Sequence, residues 1–139
     1  MTTKAQIKYG SIYGPEFAKA YASTLHIAKA IDGATTMRIV RLIREIGNQE
    51  KVLMEALDKI IEEYAERDGE GVLIKRDGQY TLSVEGAQRR NEAFLDTFEV
   101  EPLPASKIAN LHEMEAGNVF WMLEMGLFVD DTELPAEAA

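Results

Sequence analysis

Ile39, Ile43, Ile46, Glu50, Leu53, Leu57, Ile60 and Tyr64 recur at alternating steps of four and three residues. That is the spacing of a heptad seam, which keeps one helical face against a partner along its length. It predicts one long amphipathic helix over about residues 35–66. At about 1.5 Å per residue such a helix runs roughly 45 Å, longer than a small domain is wide. A rod of that length needs cover along its side, from its own chain or from another molecule. Glu50 is the one polar position in the seam. Either it sets register opposite a polar or positive group, or the seam opens to solvent there, beside Gly47 and Asn48, where a bend is expected. The opening is the preferred reading.

The flanking pattern predicts shorter elements. Residues 1–14 read as an irregular arm anchored by Tyr9, Ile12 and Tyr13. Pro15 and Glu16 suit a first helical turn, and Phe17, Ala20, Tyr21, Leu25, Ala28 and Ile31 form the stripe of a helix that Asp32-Gly33 would end. Thr35 or Thr36 is then the expected cap of the long helix. A short connection predicts an antiparallel helical hairpin over 15–67, with Leu25, Ala28 and Ile31 facing the start of the seam. The long helix should stop near Arg67-Asp68-Gly69-Glu70-Gly71. Val72-Leu73-Ile74-Lys75 and Tyr80-Thr81-Leu82 read as strands joined by a tight Asp77-Gly78 turn. Ser83 caps a helix running to about Asp96, and Phe98-Glu99-Val100-Glu101-Pro102-Leu103 alternates like an edge strand, a candidate third strand for the hairpin. The last third is apolar again, with a short helix between Gly117 and Gly126.

The expected architecture is therefore α+β and mostly helical, in a single domain over 1–139. It combines an antiparallel helical hairpin with one long helix, a small antiparallel β-hairpin or three-stranded sheet, and a short C-terminal helix. Its parts are an arm over 1–14, the helical hairpin over 15–67, and a hairpin, helix and edge strand over 71–103. A C-terminal apolar helical segment over 104–129 and an acidic tail over 130–139 complete it.

Composition narrows the function classes. The chain has 139 residues, 46% of them hydrophobic and 28% charged, a soluble globular balance. No apolar run approaches the ~18 residues of a membrane span, and Met1 to Lys8 lacks the pattern of a signal peptide. Cysteine is absent, which excludes disulfides, thiolate metal sites and cysteine nucleophiles. A net charge of −9 argues against nucleic acid and anionic membrane surfaces as partners. A protein partner suits it better. The absence of cysteine fits a reducing compartment, and the cytoplasm is the default location.

Candidate chemistry is sparse. His26 lacks an acid at i+3 or i+4, and His112-Glu113-Met114-Glu115 points neighbouring groups apart on a helix, whereas zinc needs three or four convergent ligands. Carboxylates at Glu55, Asp58 and Glu62 fall on the outer face of a helix, where they are solvated. No nucleophile triad, phosphate loop or metalloprotease motif is present. The expectation is no catalytic residue, no cofactor and no metal.

Two features suggest contact with other proteins. Arg38, Arg41 and Arg44 load the first turns of the long helix with positive charge and Glu55 to Glu66 its last turns with negative charge, the reverse of what the macrodipole favours. The arginines either meet acids within the chain, such as Glu92, Glu99 or Glu101, or form a docking strip for an acidic partner or for nucleic acid, for which two or three charges are few. Near the other end, Val119, Phe120, Trp121, Met122 and Leu123 are consecutive, apolar all round a helix. Such a helix is buried on every side, or part of it, with Met125, Leu127 and Phe128, meets another subunit. The candidate interaction residues are Arg38, Arg41, Arg44, Trp121, Met122, Met125 and Phe128.

The order of these features resembles a family of small uncharacterised proteins encoded by tailed bacteriophages and prophages. The resemblance covers about residues 15–125. It rests on Tyr64-Ala65-Glu66-Arg67-Asp68-Gly69 ending a long helix, Gly78-Gln79-Tyr80 in a hairpin, Glu99-Val100-Glu101-Pro102-Leu103, and Ile108 with Leu111 behind. It implies a phage gene product, a structural or assembly component, and supplies no site residue. The function expected is a non-enzymatic virion structural or assembly protein working through protein–protein contacts, in a ring or as a decoration on a shell. The alternative is a small acidic host-takeover protein that binds and inhibits a bacterial enzyme or nucleic-acid-binding protein. Expected partners are phage structural subunits or a host protein; a homo-oligomer is open as well.

Overall fold

A computed structural model describes residues 4–131 of the chain; the greater part of the expected acidic tail lies outside the described residues. The elements run β1 (Ala5–Lys8), a 3-10 turn (Tyr9–Ile12), α1 (Pro15–Thr24), α2 (Gly33–Tyr64), β2 (Lys75–Arg76), β3 (Gln79–Tyr80), α3 (Val84–Leu95), β4 (Thr97–Val100), β5 (Leu103–Pro104), α4 (Ala116–Met125) and β6 (Phe128–Val129). The architecture is α+β and mostly helical, with short strands. Among the described residues no helix is long and apolar enough to cross a membrane.

The long helix forms as its periodicity requires, unbroken through Gly47 and Asn48. Ile39, Ile46, Leu53 and Leu57 of the seam are buried, with Leu42 added to the row; Ile43, Glu50, Ile60 and Tyr64 are half-buried. The shift from Ile43 towards Leu42 follows from 3.6 residues per turn in a straight helix, against the 3.5 of a supercoiled one. The chain itself covers most of this face, with Ile7, Phe17, Leu25, Phe98, Leu103 and Met122 in the same core. Burying side chains of this size contributes about 1.5–3 kcal/mol each.

The helix starts two residues earlier than expected. Asp32 is its cap, accepting from the Thr35 backbone N–H at 2.7 Å, so neither Thr35 nor Thr36 takes that role. The preceding helix, in turn, ends early. α1 stops at Thr24, and Ile31, expected on its stripe, is 56% exposed. Residues 25–32 form the connection instead. Their backbone is satisfied from afar: Lys29 N–H donates to Asn110 Oδ1 at 2.8 Å, and Asn110 Nδ2 donates to the Ile27 carbonyl at 2.9 Å. Because a buried partner supplies those hydrogen bonds, this segment need not stay helical. α1 lies chiefly against α4 and reaches α2 through the Tyr21 hydroxyl, which donates to the Ile43 carbonyl at 3.4 Å.

The strands pair differently from the expectation. The supposed irregular arm holds β1, antiparallel to β4 with Ile7 opposite Phe98; Ile7, Phe98 and Val100 point into the core while Gln6 and Glu99 face out. The 98–103 segment is thus no third strand of the hairpin. β2 and β3 do form around Asp77-Gly78, both residues at positive φ, as a tight hairpin turn demands. Val72, Leu73 and Ile74, however, lie outside β2. Glu66 ties the hairpin to the end of α2 instead, donating to the Thr81 carbonyl and accepting from Ile74 N–H, both at 2.9 Å. β5 and β6 run parallel, which draws the chain after α4 back against 103–104.

α3 begins at Ser83 as predicted, its hydroxyl accepting from Gly86 N–H at 3.1 Å. Gly86 is where α3 meets α2: a Cβ there would stand 2.5 Å from Tyr64 Cβ. α4 ends at Gly126 in the left-handed conformation, its N–H and that of Leu127 turned back onto the last turn, the usual way a glycine closes a helix.

Candidate functional site

α4 carries the least expected surface. Its inner side sends Met122, fully buried, into the core, where it meets the helix's packing partner α1. Its outer side presents Phe120, 63% exposed. The all-round apolar run is therefore divided between two fates. Leu123 and Val119 are half-buried between them.

Phe120 stands as a ridge between two hollows. The larger, about 590 Å³, is walled by Ile108, Leu111, Met114, Val119 and Leu123, with Ser106 and His112 at its side. The smaller, about 320 Å³, lies towards Trp121, Met125 and Ser11. Around them the exposed charges are mainly acidic: Glu113, Glu115 and Glu124 form no ion pair among the described residues. Asp131 closes one rim, accepting from Ser106 N–H at 2.8 Å and from the Ser106 hydroxyl at 2.6 Å. Those bonds, with Lys107 nearby, hold its carboxyl below the ordinary range. Asp32 is lowered chiefly by its hydrogen bonds from Thr35, with Lys107 adding a smaller pull, so the Lys107 charge is felt by two acids.

The candidate residues read from sequence separate here. Trp121 and Met125 are half-buried on the wall of the smaller hollow, while Met122 and Phe128 are inside the monomer and offer nothing to a partner. Phe120 was not singled out, although one signal marked it. Glu124, the only charge within α4, follows it by four residues, and residues so spaced share a helix face.

The arginines divide as well. Each step of three residues turns the helix back by roughly 60°, so three arginines at that spacing fan out across it. Arg38 lies at the flank, pairing with Glu101 at 3.2 Å and donating from Nη2 to the Pro102 carbonyl at 2.6 Å. It ties α2 to the β4–β5 segment. Arg41 and Arg44 are exposed. A shallow polar groove of about 320 Å³ beside them holds Lys4, Arg38 and Arg41 against Glu45, Glu99 and Glu101.

Glu50 is half-buried, and its charge is felt by Tyr21. Burial first, and then Glu50, push the Tyr21 phenol up to about 12, so it serves as a hydrogen-bond donor throughout the physiological range. His26 stacks on the same ring at 4.4 Å. Nearby, the Tyr9 hydroxyl donates to Gln49, whose amide donates to Glu45 at 2.8 Å. These are structural bonds that tie the 3-10 turn and α1 to α2. No group of three or more His, Asp or Glu gathers as a metal site among the described residues. The hollow that holds His112 has no carboxylate in its lining. What the α4 face offers is shape, apolar area and an acidic rim.

Comparison with known protein families, with curated proteins and with solved structures finds no match to this chain.

Proposed function

We propose that this chain is a non-enzymatic subunit working through protein–protein contacts, a structural or assembly component of a bacteriophage particle. The α4 face is its docking surface. One observation carries the reading: Phe120, 63% exposed, separates two apolar hollows in a chain of net charge −9. Exposed aromatic residues beside open apolar ground are the composition of interface centres, and a rim of charge is their usual border. The chemistry of the occupant follows from the rim. Glutamates at 113, 115 and 124, without an ion pair among the described residues, suit an amphipathic segment that brings apolar side chains to the hollows and Lys or Arg to their edge.

Mass spectrometry of purified particles tests the phage assignment, with the chain expected among the virion or assembly-intermediate proteins; its absence from both overturns that assignment. A Phe120→Ser variant tests the docking face, since it removes the ridge without touching the core and should abolish co-purification with the neighbouring subunit.

The second reading, an acidic host-takeover protein, draws on a different observation. Glu55, Asp58 and Glu63 on the outer face of α2 are exposed and lack ion-pair partners among the described residues, as a mimic of nucleic-acid charge requires. Inhibition of a basic host protein, lost on neutralising those three acids and kept on Phe120→Ser, would favour it.

A further inference from the structure

The side of α2 turned away from the core carries a second row at heptad spacing. Met37, Arg41, Arg44, Asn48, Lys51, Glu55, Asp58 and Glu62 recur at steps of four and three residues, and all of them are exposed. They lie opposite the buried row of Ile39, Leu42, Ile46, Leu53 and Leu57. Along this outer row the bases Arg41, Arg44 and Lys51 precede the acids Glu55, Asp58 and Glu62, against the direction that the helix dipole favours. Among the described residues Arg41, Arg44, Lys51, Glu55 and Asp58 make no ion pair, while Glu62 is engaged by Arg67 at 2.9 Å.

The row is complementary to itself. A two-fold axis between Asn48 and Lys51 brings a second copy of the helix antiparallel to the first. In that one register Arg41 faces Asp58, Arg44 faces Glu55 and Asn48 faces Lys51, each contact made twice, as an isologous interface requires. The antiparallel arrangement also sets the N-terminal end of each helix beside the C-terminal end of the other. Charges placed wrongly for their own dipole are then placed correctly for their neighbour. Met37, Val40 and Val52, exposed on or beside the row, add apolar contact.

We propose that the outer face of α2 is a self-association surface on which a second copy of this chain docks antiparallel through Arg41–Asp58 and Arg44–Glu55 pairs. It is distinct from the α4 face and does not depend on the phage reading. Exposed ion pairs are individually weak and screened by salt, so the dimer is a weak one that responds to ionic strength.

Sedimentation velocity of the full chain tests this with two charge-reversed variants, R41E/R44E and E55R/D58R. The wild type should self-associate at low salt, and its dissociation constant should rise about tenfold or more as ionic strength passes that at which the Debye length shrinks to a few ångströms. Each variant alone should stay monomeric, because like charges then face each other. An equimolar mixture of the two should restore the dimer, since every reversed residue meets its complement. Circular dichroism of each variant, changed only on the surface, checks the fold. A wild type that is monomeric at low salt overturns the proposal. So does a mixture that associates no better than its parts. A dimer kept by both variants but lost on Phe120→Ser would assign self-association to α4 and would also overturn it.

Discussion

Single side chains decide where this chain stops being helical. Asn110 is buried and spends its amide on two backbone groups, Lys29 N–H and the Ile27 carbonyl. Replacing it with Ala removes both hydrogen bonds, a net cost of about 0.5–1.5 kcal/mol for each. Asn110→Asp keeps the acceptor for Lys29 but loses the donor to Ile27, so its destabilisation should be real and its local effect different. Chemical denaturation measures the first, and hydrogen exchange at Lys29 separates the two variants. Gly86 acts by its size. A Cβ at 2.5 Å from Tyr64 Cβ forces α3 off the end of α2, and Gly86→Ala should lower stability by about 1–3 kcal/mol, read as a lower denaturation midpoint. Neither residue advertises this role in the sequence. Asn110 acts across more than eighty positions of chain, and Gly86 looks like a weak spot in a helix until Tyr64 is found against it.

At the scale of elements, the periodic signals were legible and their ends were not. α2, α3 and α4 form where apolar spacing and turn residues put them, because a long run of same-face contacts outweighs any single position. Ends depend on one or two hydrogen bonds. Asp32 wins the cap of α2 because its carboxylate reaches the Thr35 N–H, and that bond holds its carboxyl below the usual carboxylate range. A carboxyl whose folded value is depressed stabilises the fold above its ordinary pKa, and the contribution is lost as pH falls through the folded value. Asp32→Asn retains a capping oxygen that does not titrate. The wild type should therefore melt higher than Asp32→Asn at neutral pH, and the gap should close as pH falls through the depressed folded pKa of Asp32. Parallel thermal melts at several pH values check it; a gap that is constant with pH would refute the assignment. The pairing of strands was the least legible feature. β1 carries only a short alternation, Ala5 and Ile7 against Gln6 and Lys8, and it becomes a strand because β4 offers a matched row of buried positions.

For the molecule as a whole, the question was what covers the greasy side of a long rod. Its own chain does, chiefly through α3, the 3-10 turn, β4 and β5, and the surplus of apolar surface moves elsewhere, to the Phe120 ridge. Phe120→Ser should leave thermal stability nearly unchanged, because the residue is mostly in solvent already and surface changes of this kind stay within about 0.5 kcal/mol. Met122→Ser, one turn-position inward and fully buried, should be strongly destabilising. Melting curves of the two variants side by side test whether the apolar run divides as described; equal losses would contradict it.

The sequence by itself determined the class of this protein, α+β and mostly helical around one long amphipathic rod, and its lack of thiol chemistry. Those follow from spacing and composition, which are properties of the chain before it folds. It also held the outer charge row of α2, since opposite faces of a helix are set by position alone. Only the tertiary structure decided which of Phe120, Trp121, Met122 and Phe128 face outward, that Arg38 is consumed by Glu101 and Pro102, and that β1 pairs with β4. An all-round apolar helix has no preferred side until its neighbours bury one, and a buried bond between distant residues exists only once the chain has brought them together.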